Sequence, residues 1–354
     1  MKTFSIGDYE IGSGVPFIIA EVAQAHDGNL NFAHSFIDAV ADTGVEAVKF
    51  QMHLAEEEST LDEPFRVKFS HVDETRYDYW KRVSFSFEEW QGIYKHCADR
   101  KIICLNTPLS VKAVEWMDRL GTLAYKVGSG EVETPDIFEA IAKTKKPILL
   151  SSGMSSYKMV ERAVNWMSGK RLDFALFQCT TKYPTPLEEI GLNVMHEFKE
   201  RFNCPVGLSD HSANLNVPLL AMAQGADLLE MHVTFSPKAF GPDAIGSLTL
   251  DQFSELVKIR KQWQSILNSP VDKDKVAENM GAMLQKFSKS VALRQDFSAG
   301  TVLTRDMLTF KKPGTGIPPS EVDDLVGLTL SKDAKADRLL QWEQIKEEHE
   351  RKKA

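Results

Sequence analysis

Short apolar runs alternate with amphipathic stretches along the first three quarters of the chain. The runs at 17–22, 45–51, 102–107, 124–129, 148–152, 174–180, 206–210 and 228–234 predict strands. Several are apolar at nearly every position, as strands covered on both faces require. Between the first two, 31–42 (NFAHSFIDAVAD) carries apolar residues at 32, 36, 37, 39 and 40, which is one face of a helix. The stretches 87–99, 111–120, 135–143, 157–167, 192–201, 217–224 and 250–266 read the same way. Thr134 followed by Pro135 predicts an N-cap with proline in the first helical position. Eight strands alternating with eight helices predict a (β/α)8 (TIM) barrel. A doubly wound open sheet would follow its first strand with Gly-x-Gly-x-x-Gly, and none is present there.

The pattern breaks at 268–288, which reads as a linker. Beyond it, 290–294 and 302–303 read as short strands, 306–308 as a helical turn and 312–316 as a glycine-rich loop. The expected organisation is a barrel over 1–267, a linker over 268–288, a small β-rich domain over 289–345 and a charged tail over 346–354. A length of 354 residues suits one large domain and one small one. With 43% hydrophobic and 26% charged residues, general disorder is excluded. No apolar run approaches the roughly 18 residues of a membrane span. The first residues carry no apolar signal core, so neither a membrane nor a secretory route is expected. A net charge of -8 argues against a general nucleic-acid partner and confines any anion site to a local lysine cluster. Cys97, Cys104, Cys179 and Cys204 form no CxxC or zinc-type spacing; Cys104 and Cys179, in apolar runs, are expected as buried thiols, and the setting as cytoplasmic.

In such a barrel, chemistry sits at the carboxyl ends of the strands. The first strand ends in Glu21, with His26 beyond. The next three end in Lys49 and Gln51, in Asn106 and Thr107, and in Lys126 followed by Ser129 and Glu131. Ser151 and Ser152 end the fifth; Thr180, Thr181 and Tyr183 follow the sixth. Ser209, Asp210 and His211 end the seventh, and the eighth carries Glu230 and His232, with Asp243 further on. One polar strand end is ordinary; polar ends on nearly every strand are a site. Lys49 and Lys126 lie inside apolar runs (AVKFQ and YKVGSG), where a charge needs a partner. With Ser129, Ser151 and Ser209 they predict a phosphate or carboxylate site. His211 and His232 end successive strands and could share one divalent ion, with Mn²⁺ or a similar ion suiting open positions for water and substrate oxygens. Glu21 and Glu131 are candidates to move a proton.

Ile18-Ile19-Ala20-Glu21, Ala25-His26-Asp27-Gly28, Ala47-Val48-Lys49-Phe50-Gln51 and Lys126-Val127-Gly128-Ser129-Gly130-Glu131 form the start of an ordered set. Leu150-Ser151-Ser152-Gly153-Met154, Tyr183-Pro184-Thr185-Pro186, Gly207-Leu208-Ser209-Asp210-His211 and Gly241-Pro242-Asp243 complete it. Together they resemble the sialic acid synthase family over roughly residues 5–342. Lys289-Ser290-Val291 and Lys312-Pro313-Gly314-Thr315-Gly316 resemble that family's antifreeze-like (SAF) domain.

The resemblance implies a transferase that joins phosphoenolpyruvate to an N-acylated hexosamine, giving a nine-carbon α-keto acid and phosphate. N-acetylmannosamine, giving N-acetylneuraminate, is the first expectation. It further implies that Lys49, Thr107, Lys126, Ser129, Ser151, Thr181 and Ser209 hold phosphoenolpyruvate. Gln51, Tyr183, Asp243 and Lys312 would touch the sugar, His211 and His232 would hold Mn²⁺ (or Mg²⁺ or Co²⁺), and Glu21 and Glu131 would manage protons. A homodimer, with the SAF domain reaching the partner's barrel, follows from the same resemblance. Ala25 replaces the family's usual Asn, Thr181 an Asn or Ser, Met231 a basic residue, and Lys312 an Arg.

Legionaminate or pseudaminate synthesis from a diacetamido-trideoxyhexose is the alternative. A phosphorylated sugar would need a further Arg/Lys cluster, and none is evident in the sequence. A metal hydrolase would need more ligands, such as an early His-x-His. A non-catalytic carbohydrate-binding barrel would be expected to lack Glu21, Lys126 or a histidine.

Overall fold

The computed structural model describes residues 2–345; the tail expected over 346–354 lies outside them. Contacts divide the chain into two units, one ending at Leu267 and the other beginning at Asn268.

In the first unit the eight expected strands form, within a residue or two at most ends. They are β1 (Phe17–Ala23), β2 (Ala47–Met52), β3 (Ile103–Pro108), β4 (Tyr125–Val127), β5 (Ile148–Ser151), β6 (Phe174–Cys179), β7 (Val206–Asp210) and β8 (Leu228–Thr234). Each pairs in parallel with the next, and β8 pairs with β1, so the sheet closes into a barrel. The outer helices are α1 (Leu30–Thr43), α2 (Phe87–Asp99), α3 (Val111–Arg119), α4 (Pro135–Thr144), α5 (Tyr157–Gly169), α6 (Leu192–Phe202), α7 (Asn216–Ala223) and α8 (Leu250–Leu267).

Local signals explain where the helices begin. Asn29 caps α1 by accepting from the Phe32 N–H, and Ser86 with Glu89 forms a full capping box on α2. Thr134 departs from expectation. It precedes Pro135, but its hydroxyl donates to Glu131 Oε2 at 3.0 Å instead of capping α4. The last helix is tied to the first strands by Arg260. It donates twice to Glu46, at 2.6 Å each, and once to the Pro16 carbonyl at 2.7 Å.

Alternation along the strands sorts the side chains into two shells. Val48, Phe50, Tyr125, Leu150, Leu208 and Met231 point outward and pack under the helices. Ile19, Ala47, Leu105, Ala124, Leu149, Ala175, Phe177 and Leu228 point into the lumen. A hairpin of Phe4–Ile6 against Tyr9–Ile11 adds Phe4, Ile6 and Ile11 to this inner cluster. The hairpin was not expected, because strands of three residues are too short to show a period. The connection after β2 also holds two unexpected helices, Ala55–Glu58 and Arg76–Val83.

The second unit contains β9 (Ser290–Leu293) paired antiparallel with β10 (Leu308–Lys311), around a small core that includes Val291, Leu303, Ile317, Leu325 and Leu340. The expected strand at 302–303 is a single bridge from Val302 to Thr329, and the expected turn near 306 is a 3-10 helix, Arg305–Met307. The segment expected as a linker carries two short helices, Lys273–Asn279 and Gly281–Phe287, with no buried residue.

Candidate active site

The inward face of each strand changes character toward its carboxyl end. Above the apolar lumen stand Glu21, Lys49, Thr107, Lys126, Ser151, Ser209, Glu230 and His232, all buried. All but His232, which stands above Glu230, share a strand face with an apolar or glycine residue two positions below, as a period of two requires. Gly207 sets the spacing between β7 and β8. A Cβ there would overlap the backbone of Leu228, so glycine lets the strands approach and brings Ser209 opposite Glu230.

The two lysines are 2% and 3% exposed, and each has a carboxylate. Lys49 pairs with Glu21 and donates to Thr107 Oγ1 at 3.1 Å. Lys126 donates to Ser151 Oγ at 2.6 Å and lies 3.3 Å from Glu230 Oε1. The same Glu230 oxygen accepts from Ser209 at 3.3 Å and lies 3.9 Å from Lys49. Glu230 therefore bridges both ammonium groups, while its Oε2 is buried without a hydrogen-bond partner. Burial opposes ionisation of Glu230, but Lys126 and Lys49 outweigh it and lower its pKa. Burial likewise opposes the Lys49 charge, and Glu21 and Glu230 outweigh it. For Glu21 burial wins over the pull of Lys49, and its carboxyl is raised above the usual range. Two carboxyls pushed in opposite directions are a common arrangement where one must carry a proton and the other must not.

A second cluster lies where the loops after β4, β5 and β6 meet. The Gly153 N–H donates to Ser129 Oγ at 2.9 Å. A Cβ at Gly153 would overlap Ser129 Oγ, Thr181 Oγ1 and Cys179 Sγ, so glycine keeps this space open. Thr181 Oγ1 is buried there with no partner. Convergent hydroxyls and a free acceptor or donor of this kind suit the oxygens of a phosphate.

His211 and His232 face each other with ring centroids 5.2 Å apart. His211 Nδ1 donates to the Thr180 carbonyl at 3.1 Å, which leaves the Nε2 lone pair free. Burial, then His232, holds His211 neutral, with its pKa pushed down to about 3. A neutral imidazole with a free Nε2 beside a second imidazole fits a divalent ion. Among the described residues no group of three or more His, Cys, Asp or Glu side chains is gathered for a metal. Water and substrate oxygens would have to complete the shell.

Gln51 donates to Glu21 Oε1 at 3.2 Å, joining the sugar-side candidates to the Lys49 pair. Tyr183 lies 4.1 Å from His211, ring to ring, and burial raises its phenol so that it stays protonated. Two expected residues form no hydrogen bond with these groups. Glu131 sits in the loop after β4, bonded to Thr134; burial raises its pKa, and its carboxylate neighbour is Glu58. Lys312 belongs to the second unit, 5.3 Å from the Phe287 ring.

Several residues of the site had no role in the sequence reading. Glu230 stood among the polar strand positions, and its place two residues before His232 was the available signal. His53 pairs with Glu58, faces Gln51 Oε1 at 3.3 Å and stacks on Trp80 at 3.7 Å. It follows Gln51 at the strand period. Arg66 lies in a loop with no period, so no signal pointed to it.

The NeuB family profile matches residues 36–272, and the SAF domain profile matches 288–346. The chain is 30% identical to N,N'-diacetyllegionaminic acid synthase of Campylobacter jejuni, over 91% of this chain and 98% of that one. It is 31% identical to the human N-acetylneuraminate-9-phosphate synthase, over 88% and 87%. The N-acetylneuraminic acid synthetase of Leptospira borgpetersenii superposes with a TM-score of 0.69 at 27% identity, covering 80% of this chain and 98% of that one. A closed barrel, a matching profile over most of its length and a SAF domain behind it place this chain in the NeuB family.

Proposed function

We propose that this protein condenses phosphoenolpyruvate with an N-acylated hexosamine, releasing phosphate and a nine-carbon α-keto acid. The observation that carries the reading is the buried double pair, Lys49–Glu21 and Lys126–Glu230, beside two facing histidines. Buried pairs of this kind do little for stability. A binding-only barrel has no use for them, whereas a trianionic substrate does. The similarity to synthases of sialic and legionaminic acids points the same way.

In this reading Lys49 and Lys126 bind the carboxylate and phosphate of phosphoenolpyruvate, with Thr107 and Ser151 positioning the ammonium groups and Ser209 holding Glu230. Ser129, Thr181 and the Gly153 cradle receive phosphate oxygens. Gln51, Tyr183 and Asp243 orient the sugar. C3 of the enol forms a bond to the sugar aldehyde carbon, and the carbonyl electron pair moves to oxygen, which takes a proton. C2 becomes electron-poor, and Glu230, held ionised by its lysines, stabilises it. Glu21 is placed to hold or pass the proton of the water that adds to C2. The C2–O bond then breaks and phosphate leaves. A divalent ion held by His211 and His232, with Mn²⁺ the first choice, would supply Lewis acidity at the sugar carbonyl. Glu131, in the loop after β4 beside Glu58, is assigned with Glu21 to the protons and the attacking water.

N-acetylmannosamine is the first acceptor to try. A diacetamido-trideoxyhexose is the second, supported by the Campylobacter relative. We also infer a homodimer in which Lys312 serves the sugar site of the other protomer, to be checked by sedimentation. Among the described residues no helix is long and apolar enough to cross a membrane, and all four cysteines are free and buried. A cytoplasmic location is the matching proposal. The test is a panel assay with phosphoenolpyruvate, Mn²⁺ and each sugar, reading phosphate release and product mass. Product from one sugar establishes the reaction and its acceptor. No product from any sugar, with folded and metal-loaded protein, overturns the reading.

A further inference from the structure

Arg66 occupies the mouth of this site. Its guanidinium lies 4.0 Å from the Tyr183 ring centroid and donates to Asp243 Oδ1 at 3.0 Å. It covers one proposed sugar contact and holds another, and its side chain remains 41% exposed. It lines a cavity of about 200 Å³ together with Gln51, Trp80, Tyr183, His232 and Asp243. Arg76 lines the same cavity, lying 5.0 Å over the Trp80 ring. No Arg/Lys cluster for a second phosphate is evident in the sequence; the fold brings Arg66 and Arg76 to one cavity.

Charge decides what the cluster can take. Arg66 is matched by Asp243, and Arg76 is matched by Glu63 at 3.1 Å. Two guanidiniums with two carboxylates leave no surplus positive charge. A phosphate dianion would have to displace both carboxylates, and this cavity, unlike the Lys49–Lys126 site with Thr107 and Ser151, has no serine or threonine hydroxyl in its lining to receive the oxygens. A neutral oxygen needs no displacement: a guanidinium has five N–H donors, and Arg66 spends one on Asp243. Part of the wall is apolar, with Phe65, Val67 and Phe69 beside Trp80, and suits an acyl or deoxy methyl group, while Gln24 and Tyr79 line another part.

We propose that Arg66 is a specificity-determining residue of the sugar subsite, selecting an uncharged acylated sugar over a phosphorylated one by donating N–H bonds to a neutral oxygen. This rests on the synthase reading above. The planar fork matters as much as the charge, since only a guanidinium can lie flat on Tyr183 while bonding Asp243 and substrate.

The test uses the full-length protein with Mn²⁺ and phosphoenolpyruvate. N-acetylmannosamine, its 6-phosphate and a diacetamido-trideoxyhexose are compared on wild type, Arg66→Ala and Arg66→Lys. The wild type is expected to favour an uncharged sugar by at least about tenfold in kcat/KM. Arg66→Ala is expected to raise the sugar KM about tenfold, with the phosphoenolpyruvate KM and the melting temperature unchanged; Arg66→Lys is expected to restore only part of the loss. An unchanged sugar KM in Arg66→Ala, full rescue by lysine, or a wild-type preference for the phosphorylated sugar would each overturn the proposal. Absence of turnover with every sugar is a different result: it removes the synthase reading itself, and the proposal with it.

Discussion

Ile19, Leu105 and Leu149 fill the barrel lumen at one level; two residues further along the same strands stand Glu21, Thr107 and Ser151. Ala47, Ala124 and Leu228 are likewise followed by Lys49, Lys126 and Glu230. Strand, face and burial are the same at the two levels, and the energetics are opposed. Burying each large apolar side chain of the lower level contributes roughly 1.5–3 kcal/mol. The charges of the upper level lose hydration on burial, and their mutual attraction at best balances that loss. The lower level therefore stabilises the barrel, and the upper level is carried by that stability. Residues that lower stability yet stand in one connected network are best explained by chemistry.

Lys126→Met attacks that balance most directly. It leaves Glu230 buried without its nearer cation. Activity is expected to fall by about 10³-fold or more. Stability should fall by about 3–5 kcal/mol, read from denaturant unfolding. Adding Glu230→Gln should return most of the stability and none of the activity; a double variant as unstable as the single one would contradict the comparison. His211→Ala should lose turnover as severely, as should treatment with a chelator followed by no added ion, with restoration by Mn²⁺ in the wild type alone. Its melting temperature should move by no more than a few degrees, because the imidazole packs in the upper level.

Leu105→Ala is the converse experiment. It should cost about 2–5 kcal/mol in stability. Turnover per folded molecule should stay at the wild-type value at a temperature where both are folded. A large loss of activity there would show that the two levels are not separable.

The smallest effect concerns the loop over the mouth of the site. Arg82 donates to Asp73 and holds its carboxyl below the usual range. A lowered folded-state pKa adds stability that is present above the unfolded value and disappears as pH falls through the folded one. Asp73→Asn should therefore melt slightly below the wild type at neutral pH, and the two should converge as the pH falls from the unfolded aspartate value of about 3.9 through the lowered folded one. A constant gap across that range would show that the pair contributes by shape alone.

How much of this was open to reading depends on distance along the chain. The strands and helices were legible because their periods repeat over several residues, and the missing hairpin was too short to repeat. The lysines were legible because charge inside an apolar run is costly unless partnered. Which carboxylate partnered which lysine was not, since Lys126 meets Glu230 only when the sheet closes. Arg66 was the least legible of all. It lies in a loop without period, and its acidic partner is 177 positions away.

By itself the sequence determined that eight strands would alternate with eight helices, and which face of each strand would turn inward. Backbone geometry dictates both, because successive side chains on a strand must point to opposite sides. The tertiary structure alone decided the pairings across the lumen, the open space kept by Gly153 and the arginine laid on Tyr183. Those contacts join residues remote in sequence, and their energies depend on a burial that exists only after the barrel has closed.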